Sequence, residues 1–371
     1  MLDLFFSKAK LMQAINTSMK AVPTRTSLPI LECLLLEAKN GIVTVMANDM
    51  EMAIRSETGG TIISEGTVAL DAKLFSDIIR NLPEDEIHIK VDSNLQVEIT
   101  SADAYFTMSG KNGDDFIGMP SISKGIPVVI SQLTLKEIIE QTIFSIAANE
   151  NNKMMTGELF EIKGNTLRVA ALDGHRIAIR YSVMNNRESI DPVSVIVPGK
   201  TLNDLSRIIT GDASKMVNIY IGKNHILFAF EGTTLVSRLI EGEYFRIDQM
   251  ITSNYETKLV FNRKRLLNCI ERSVILVRES DKKPLILNIK NGSVTLSLTS
   301  IIGSMKEEIE VEKEGSNLMI GFNPRFLIDA LRAINDETVT LYLTNSRAPG
   351  FIRDEEGTYI YLILPVNFVT R

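Results

Sequence analysis

Two short motifs carry the side chains that could do chemistry in this chain of 371 residues. The first, Asp173–Arg176 with the sequence DGHR, places an acid and a base on a turn, as general acid–base catalysis requires. The second, Pro198–Thr201 with the sequence PGKT, follows a strand-like run and imitates the end of a phosphate-binding loop. One hypothesis is therefore a nucleotide hydrolase that uses Asp173, His175 and Lys200.

Both motifs also have a plain structural interpretation. The first fits a tight connection between strands, with Gly174 in a left-handed conformation and the charged side chains in solvent. The second lacks the glycine that begins a phosphate-binding loop, because Ser194 stands at that position. The β-branched run Val195–Val197 also resists the backbone conformations that surround a phosphate.

Other signatures of catalysis or cofactor binding are missing from the sequence. The three histidines, His88, His175 and His225, have no second histidine or cysteine at a spacing typical of metal ligands. No nucleophile elbow and no dinucleotide-binding glycine pattern is present. We therefore expect no catalytic residue, no metal and no cofactor.

The elements that must hold these motifs recur three times, in blocks of about 125 residues. In each block an Asn/Gly turn joins two alternating apolar runs, as a β-hairpin requires: Asn40-Gly41, Gly164-Asn165 and Asn291-Gly292. A helical apolar pattern precedes each hairpin, and a short strand and a second helix follow it. The sequence predicts an α+β fold of three similar domains, with boundaries at 1–125, 126–252 and 253–371.

Formal charge is segregated between the predicted helices and the rest of the chain. The predicted helices are Ser7–Lys20, Asp71–Leu82, Leu133–Ala147, Gly199–Thr210, Asn262–Val277 and Asn323–Ile334. Within a net charge of −6, they carry +7 and the remaining residues carry −13. A polyanion would therefore be attracted wherever the helices gather, although Lys and Arg are also ordinary exposed helix residues.

Composition indicates a protein of the cytoplasm. Hydrophobic residues make up 44% of the chain, but no apolar run approaches the ~18 residues of a membrane span, and the N-terminus shows no secretion signal. Cys33 and Cys269 lie inside a strand pattern and a helix pattern, where we expect buried thiols rather than a disulfide.

Five strings in a fixed order carry a family resemblance. They are RTSLPIL (Arg25–Leu31), ALDGHRIAI (Ala171–Ile179), VIVPGKTLNDL (Val195–Leu205), IGFNPRFLIDAL (Ile320–Leu331) and YIYLILPVNF (Tyr359–Phe368). With the threefold repeat, the whole chain resembles the bacterial replicative sliding clamps, the β subunits of DNA polymerase III.

The resemblance implies three domains of the DNA-clamp type, each with two helices inside and β-sheets outside. Two copies would join head to tail in a homodimeric ring around duplex DNA, without base recognition and without a membrane. The ring would tether the DNA polymerase III α subunit, the clamp loader and repair or translesion polymerases for processivity. The partners would insert a short peptide with Gln, Leu and Phe into a cleft between the second and third domains.

The resemblance also assigns residues to three sites. The walls of the peptide-binding cleft would be Met155, Leu172, Gly174, His175, Arg176, Ile177, Phe245, Met250, Leu362, Leu364, Pro365, Val366 and, at the rim, Asn367. Contacts to DNA would come from Lys8, Arg25, Lys73, Arg80, Asn149, Lys200, Arg207, Arg263, Lys264 and Arg265. The dimer interface would pair Phe106 with Ile275 and Leu276.

The chain departs from the family pattern around the cleft. Phe245-Arg246 stands where the family has Pro-Asp, Asn367 replaces an arginine, and Val369–Arg371 extends past the usual end. These changes leave the peptide preference open. A repeat scaffold that binds only proteins is a second alternative, and it predicts no retention on circular DNA.

Overall fold

The computed structural model describes residues 2–83, 85–122, 125, 127–148, 152–186, 190–277 and 283–368. The chain forms two compact units. The first contains the chain up to Leu133 and Arg207–Leu239, and the second contains Thr134–Ser206 and the chain from Ile240. The α-helices of the described residues are α1 (Lys8–Ser18), α2 (Ala72–Asn81), α3 (Gln132–Glu140), α4 (Gly199–Ile208), α5 (Arg263–Val274) and α6 (Pro324–Ala333).

Strands fill most of the remaining chain. Those of the first third are β1 (Leu2–Ser7), β2 (Cys33–Lys39), β3 (Ile42–Asn48), β4 (Met52–Thr58), β5 (Gly60–Ser64), β6 (Gly66–Asp71), β7 (Glu86–Val91), β8 (Gln96–Ser101), β9 (Ala104–Ser109) and β10 (Lys111–Asn112). Next come β11 (Val128–Ser131), β12 (Gly157–Gly164), β13 (Thr166–Leu172), β14 (Arg176–Val183), β15 (Ile190–Pro198), β16 (Met216–Ile221), β17 (His225–Phe230) and β18 (Thr233–Arg238). The last are β19 (Thr257–Asn262), β20 (Leu285–Lys290), β21 (Ser293–Thr299), β22 (Ser304–Glu310), β23 (Glu312–Gly315), β24 (Leu318–Phe322), β25 (Thr338–Leu343), β26 (Gly350–Arg353) and β27 (Tyr359–Ile363).

The first unit contains two antiparallel sheets. One has the order β5-β1-β7-β8-β9, and the other has the order β10-β6-β2-β3-β4-β18-β17-β16-β11. Strand β18 pairs with β4, with Leu235 opposite Ile54, so strands from distant parts of the sequence share one sheet. Helices α1 and α2 pack against each other, α1 also lies on β3 and β4, and α2 lies on β2 and β6.

The second unit repeats this arrangement. Its sheets have the orders β15-β12-β13-β14-β27-β26-β25-β19-β23 and β22-β21-β20-β24. Helices α5 and α6 pack together, and a core that includes Leu266, Leu287, Phe322, Leu331 and Leu341 joins them to both sheets. Among the described helices, none combines the length and apolar character needed to cross a membrane.

Local sequence explains why the elements begin and end where they do. Asn40 and Gly41 both have positive φ, 52° and 74°, as the predicted hairpin turn requires. Asp71, Asn262 and Asn323 each accept a hydrogen bond from a backbone N–H of the following helix. The predicted helices are therefore confirmed to within a few residues at five of six positions. Cys33 and Cys269 are free and buried, as expected.

Helix α3 is shorter than predicted, because it ends at Glu140 and not at Ala147. The reason lies in Thr142, whose hydroxyl lies 2.7 Å from the carbonyl oxygen of Ile138 and 2.9 Å from Glu158 Oε1. A β-branched residue that bonds back to the preceding turn weakens a helix at that point.

Candidate functional site

The turn between β13 and β14 holds the first motif. The Asp173 carboxylate accepts hydrogen bonds from the backbone N–H groups of His175 (2.9 Å) and Arg176 (3.1 Å), and Gly174 has φ of 85°. This is the tight strand connection proposed from the sequence. The charged side chains are not solvated as that interpretation assumed, because Asp173 and Arg176 are only 15% and 11% exposed.

Arg176 ties this turn to two other elements. Its Nε donates to Asp173 at 2.9 Å, and its terminal nitrogens donate to Asp329 Oδ2 at 2.6 Å and to the carbonyl oxygen of Phe144 at 2.5 Å. The guanidinium also lies over the Phe326 ring, 4.4 Å from its centre. Arg176 therefore fixes the turn against α6 and acts as a support of the wall, with much of its donor capacity already used.

The C-terminal tail runs beside the same turn. Strand β27 pairs with β14, and the next residue, Leu364, donates its N–H to the carbonyl oxygen of His175 at 2.9 Å. Val366 then donates its N–H to the carbonyl oxygen of Gly321 at 2.8 Å. Pro365, which has no N–H group, therefore lies between two residues whose N–H groups are bonded. A side chain at position 321 would meet the Phe368 ring at 2.8 Å, and this glycine therefore lets the tail approach.

Five of the predicted cleft residues belong to one hydrophobic cluster. Leu172, Ile177 and Leu362 are buried in it, and Met155 and Phe245 pack against it while partly exposed. Near them in sequence, Leu364 and Met250 are 39% and 48% exposed, so these apolar side chains are accessible at the surface. Of the others, Gly174, His175 and Asn367 are exposed, and Pro365 and Val366 are half-buried.

The sequence did not indicate several other members of this cluster. They are Met154, Tyr244, Ile247, Tyr342 and Phe351, which come from four separate segments. The one signal in the sequence is around Tyr244, where the apolar spacing changes from alternating to irregular; this change could have suggested Tyr244.

The second motif lies at the end of β15 and the start of α4. A side chain at Gly199 would collide with Ile146 Cδ1 and would lie 2.9 Å from the carbonyl oxygen of Thr156. Neighbouring atoms therefore fill the space beside the Gly199 Cα atom, and only glycine fits there. Within the described residues, no group of three or more His, Cys, Asp or Glu side chains could hold a metal ion. The geometry thus gives the hydrolase hypothesis no support.

Most of the predicted DNA-contact residues are exposed cations. Arg25 lies in the segment before β2, and the others lie on helices: Lys73, Arg80, Lys200, Arg207, Lys264 and Arg265. Asn149 lies outside the described residues. Arg80 forms an ion pair with Asp77 at 3.3 Å. Because both side chains are exposed, breaking this pair costs little free energy.

Lys8 and Arg263 have internal partners. Lys8 Nζ donates to the carbonyl oxygen of Leu82 at 2.6 Å. Arg263 donates to the carbonyl oxygens of Asp336 at 2.7 Å and Leu331 at 3.2 Å. These two side chains are therefore engaged at the ends of α2 and α6, unlike their exposed neighbours Lys264 and Arg265.

The predicted interface residues lie at sheet edges or helix ends. Phe106 is on β9, the outermost strand of its sheet, and is 39% exposed. Ile275, which follows α5, is 75% exposed, whereas Leu276 is half-buried and packs on the core. Two further residues were not predicted from the sequence. Ile301 and Ile302 are 89% and 54% exposed in the turn before β22, which is itself an outermost strand.

Known proteins match nearly the whole chain. Models of the DNA polymerase III beta subunit match it in three stretches: the N-terminal domain at residues 2–120, the central domain at 129–245 and the C-terminal domain at 248–367. The beta sliding clamp of Staphylococcus epidermidis is 32% identical over 378 residues, with 99% of this chain and 100% of that protein aligned.

Solved structures agree with these sequence matches. A candidate DNA polymerase III beta subunit from Eubacterium rectale is 54% identical, with a TM-score of 0.95, over 99% of this chain and 100% of that one. The DNA polymerase sliding clamp of Bacillus subtilis is 29% identical, with a TM-score of 0.95 and the same coverage. The chain therefore belongs to the family of DNA polymerase III beta subunits, the beta sliding clamps, which are non-catalytic processivity subunits of that polymerase.

Proposed function

We propose that two copies of this chain form a head-to-tail ring around duplex DNA and that a cleft in the second unit tethers replication and repair proteins. The tethered partners are the DNA polymerase III α subunit, the clamp loader and repair or translesion polymerases. The observation that carries the proposal is the pairing of the C-terminal tail with the Asp173–Arg176 turn. This pairing puts the exposed side chain of Leu364 two residues beyond Leu362, which is part of the apolar cluster.

The cleft is suited to short peptides with apolar ends. Methionine and aliphatic side chains can repack around different partners, and the exposed His175 offers a polar contact at the edge. Because many partners would use one groove, they would compete for it. The binding residues in this proposal are those assigned above, with Arg176 as a support of the wall.

The test of the cleft is binding of a labelled peptide that contains Gln, Leu and Phe, measured by fluorescence anisotropy. Removal of residues 364–371 should abolish binding, and Leu364→Ser should weaken it. Ile63→Ser, at an exposed apolar position in the other unit, is the matched control. Unchanged peptide affinity in the truncated but folded chain would show that the cleft lies elsewhere.

The proposed DNA contacts are the exposed cations Arg25, Lys73, Arg80, Lys200, Arg207, Lys264 and Arg265, with Asn149. Phosphate contacts of this kind are sequence-independent and individually weak, which suits a ring that slides. The closed ring would keep the protein on the DNA even though each contact is weak. A loading assay on nicked circular plasmid distinguishes this proposal from a protein-only scaffold, because the scaffold would not be retained on the circle.

In the proposed ring, Phe106 of one copy would pack near Ile275 and Leu276 of the other. An unpaired edge strand such as β9 can accept another strand, and exposed apolar side chains favour association. We place the domain boundaries at 1–125, 126–252 and 253–371, in keeping with the three matched stretches. The proposed compartment is the cytoplasm, because the polymerase acts on the chromosome.

A further inference from the structure

A groove rich in carboxylates lies between α3 and the C-terminal half of α6. Two adjoining cavities, of about 270 and 530 Å³, share Glu137, Gln141, Ala333 and Asn335 in their walls. Together the described residues of the walls include seven carboxylates and two guanidinium groups. The groove therefore has a strongly negative potential, although α5 and α6 are basic overall.

The two guanidinium groups have partners. Arg332 donates to Glu271 Oε1 at 2.7 Å, and Glu271 does not line either cavity. Arg180 donates to Thr358 Oγ1 at 2.5 Å and lies over the Tyr359 ring. Neither group forms an ion pair with a carboxylate of the groove among the described residues.

Four of the seven carboxylates are already bonded. Asp329 pairs with Arg176 at 2.6 Å, and Glu355 pairs with Lys258 at 3.4 Å. Asp336 accepts from the Tyr359 hydroxyl at 3.0 Å, and Asp354 accepts from Thr358 at 2.6 Å. The remaining three, Glu137, Glu140 and Glu356, have no ion-pair partner in the part of the chain that the structure describes.

Two buried polar side chains in the same walls lack a partner. Gln141, which is 7% exposed, lines both cavities, and Tyr361, which is 1% exposed, lines the larger one. Neither Gln141 Oε1 nor the Tyr361 hydroxyl has a hydrogen-bond partner among the described residues. Buried polar atoms are normally bonded, so their positions indicate a missing donor.

A positively charged hydrogen-bond donor would neutralise the unpaired carboxylates and would also supply a partner for Gln141 Oε1 and the Tyr361 hydroxyl. The groove lacks a set of three ligands for a metal ion among its described residues, which favours an organic cation. An alkylammonium group donates up to three hydrogen bonds, which the unpaired carboxylates and Gln141 Oε1 in the walls can accept. Two adjoining cavities suit a ligand whose charges are separated by short apolar spacers.

We propose that this groove binds a linear polyamine. One ammonium group lies near Glu137, Glu140 and Phe144, and another lies near Glu356 and the Tyr361 hydroxyl. The binding itself does not depend on the ring. The resemblance places the helices on the inside of the ring. If α3 and α6 face DNA there, the bound polyamine replaces repulsion of phosphate by attraction at this position, and this consequence rests on the proposed function.

The test is calorimetric titration of the full chain with spermidine at low ionic strength. We expect saturable binding at one site for each chain. Glu137→Gln combined with Glu140→Gln should weaken binding about tenfold, since each removes one partly exposed charge contact. Gln141→Leu should also weaken it. If this core variant is less stable in thermal unfolding, the surface double variant still decides the question.

The matched control is Glu310→Gln combined with Glu312→Gln, which removes two exposed carboxylates elsewhere. This variant should bind spermidine as the parent chain does. Equal loss in both double variants, or displacement by Mg²⁺ at equal charge concentration, would overturn the proposal in favour of a diffuse ion atmosphere. Unchanged affinity in the Glu137/Glu140 variant would also overturn it.

Discussion

The ammonium group of Lys8, at the start of α1, donates a hydrogen bond to the carbonyl oxygen of Leu82, at the end of α2, over 2.6 Å. The last carbonyls of a helix have no partner within the helix and carry partial negative charge. Lys8 therefore satisfies the end of one helix from the beginning of its neighbour.

The corresponding position also links two helices in the other two repeats, although in one of them the direction of the hydrogen bond is reversed. Arg263, the first residue of α5, donates to the carbonyl oxygen of Leu331 near the end of α6. Gln132, the first residue of α3, accepts hydrogen bonds from the backbone N–H and hydroxyl of Thr210, just after α4. The repeat thus conserves a contact between two helices while the residue type changes.

The first prediction is that Lys8→Met lowers stability. Loss of a charge-assisted hydrogen bond at a partly exposed site should cost about 1 kcal/mol. Denaturant unfolding of the parent and variant chains measures this difference. Arg25→Met, at an exposed position, is the control: it should weaken DNA binding and leave stability unchanged. Unchanged stability together with weaker DNA binding in the Lys8 variant would instead mean that Lys8 contacts phosphate.

The second prediction concerns the dimer. Ile275→Asp should yield a folded monomer, because a charge would be buried at the apolar contact. Leu276 is left unchanged, since it packs on the core of its own chain. Light scattering after gel filtration measures the mass. Val183→Asp, at a position 69% exposed, should remain dimeric, and a dimer in the Ile275 variant would refute the proposed interface.

The third prediction concerns salt dependence. Replacing Lys73, Arg80, Lys264 and Arg265 by glutamine should weaken DNA binding evenly across sequences. The slope of log affinity against log salt should fall by about one unit for each true contact. Lys163→Gln with Lys306→Gln, both on strands, should leave the slope unchanged. A loss that depends on base sequence would instead indicate base recognition.

Glu158 is a buried acid next to Thr142. The single hydroxyl proton of Thr142 has two acceptors at short distance, the carbonyl oxygen of Ile138 at 2.7 Å and Glu158 Oε1 at 2.9 Å. When it goes to Ile138, the Glu158 contact requires a proton on the carboxyl group. Burial raises the pKa of Glu158 to about 8, against the lowering effect of the Thr142 hydrogen bond.

The fourth prediction follows from this raised pKa. The folded chain keeps a proton that the unfolded chain releases near pH 4.5, so the stabilisation is complete below that pH. It is lost as pH rises towards about 8, with a slope of at most about 1.4 kcal/mol per pH unit. Glu158→Gln should flatten this slope in denaturant unfolding, whereas Glu140→Gln should not. Parallel curves for the parent and the Glu158 variant would contradict the assignment.

The repeated elements could be predicted from the sequence alone. The turn at Asn40-Gly41, the helix caps at Asp71, Asn262 and Asn323, and the helical apolar spacing depend on neighbours a few residues away. Such short-range preferences can be read from one chain. The family resemblance of five separate strings then indicated the fold, and the comparisons confirmed it.

The partners of individual side chains could not be predicted in this way, because they depend on how the chain packs. Arg176 meets Asp329, 153 positions away, and this contact exists only because β14 pairs with β27 and so brings α6 beside the turn. The raised pKa of Glu158 and the early end of α3 likewise depend on a contact across 16 positions. Periodicity carries no information about such partners, because burial and hydrogen bonding are properties of the packed sheets and not of the local chain.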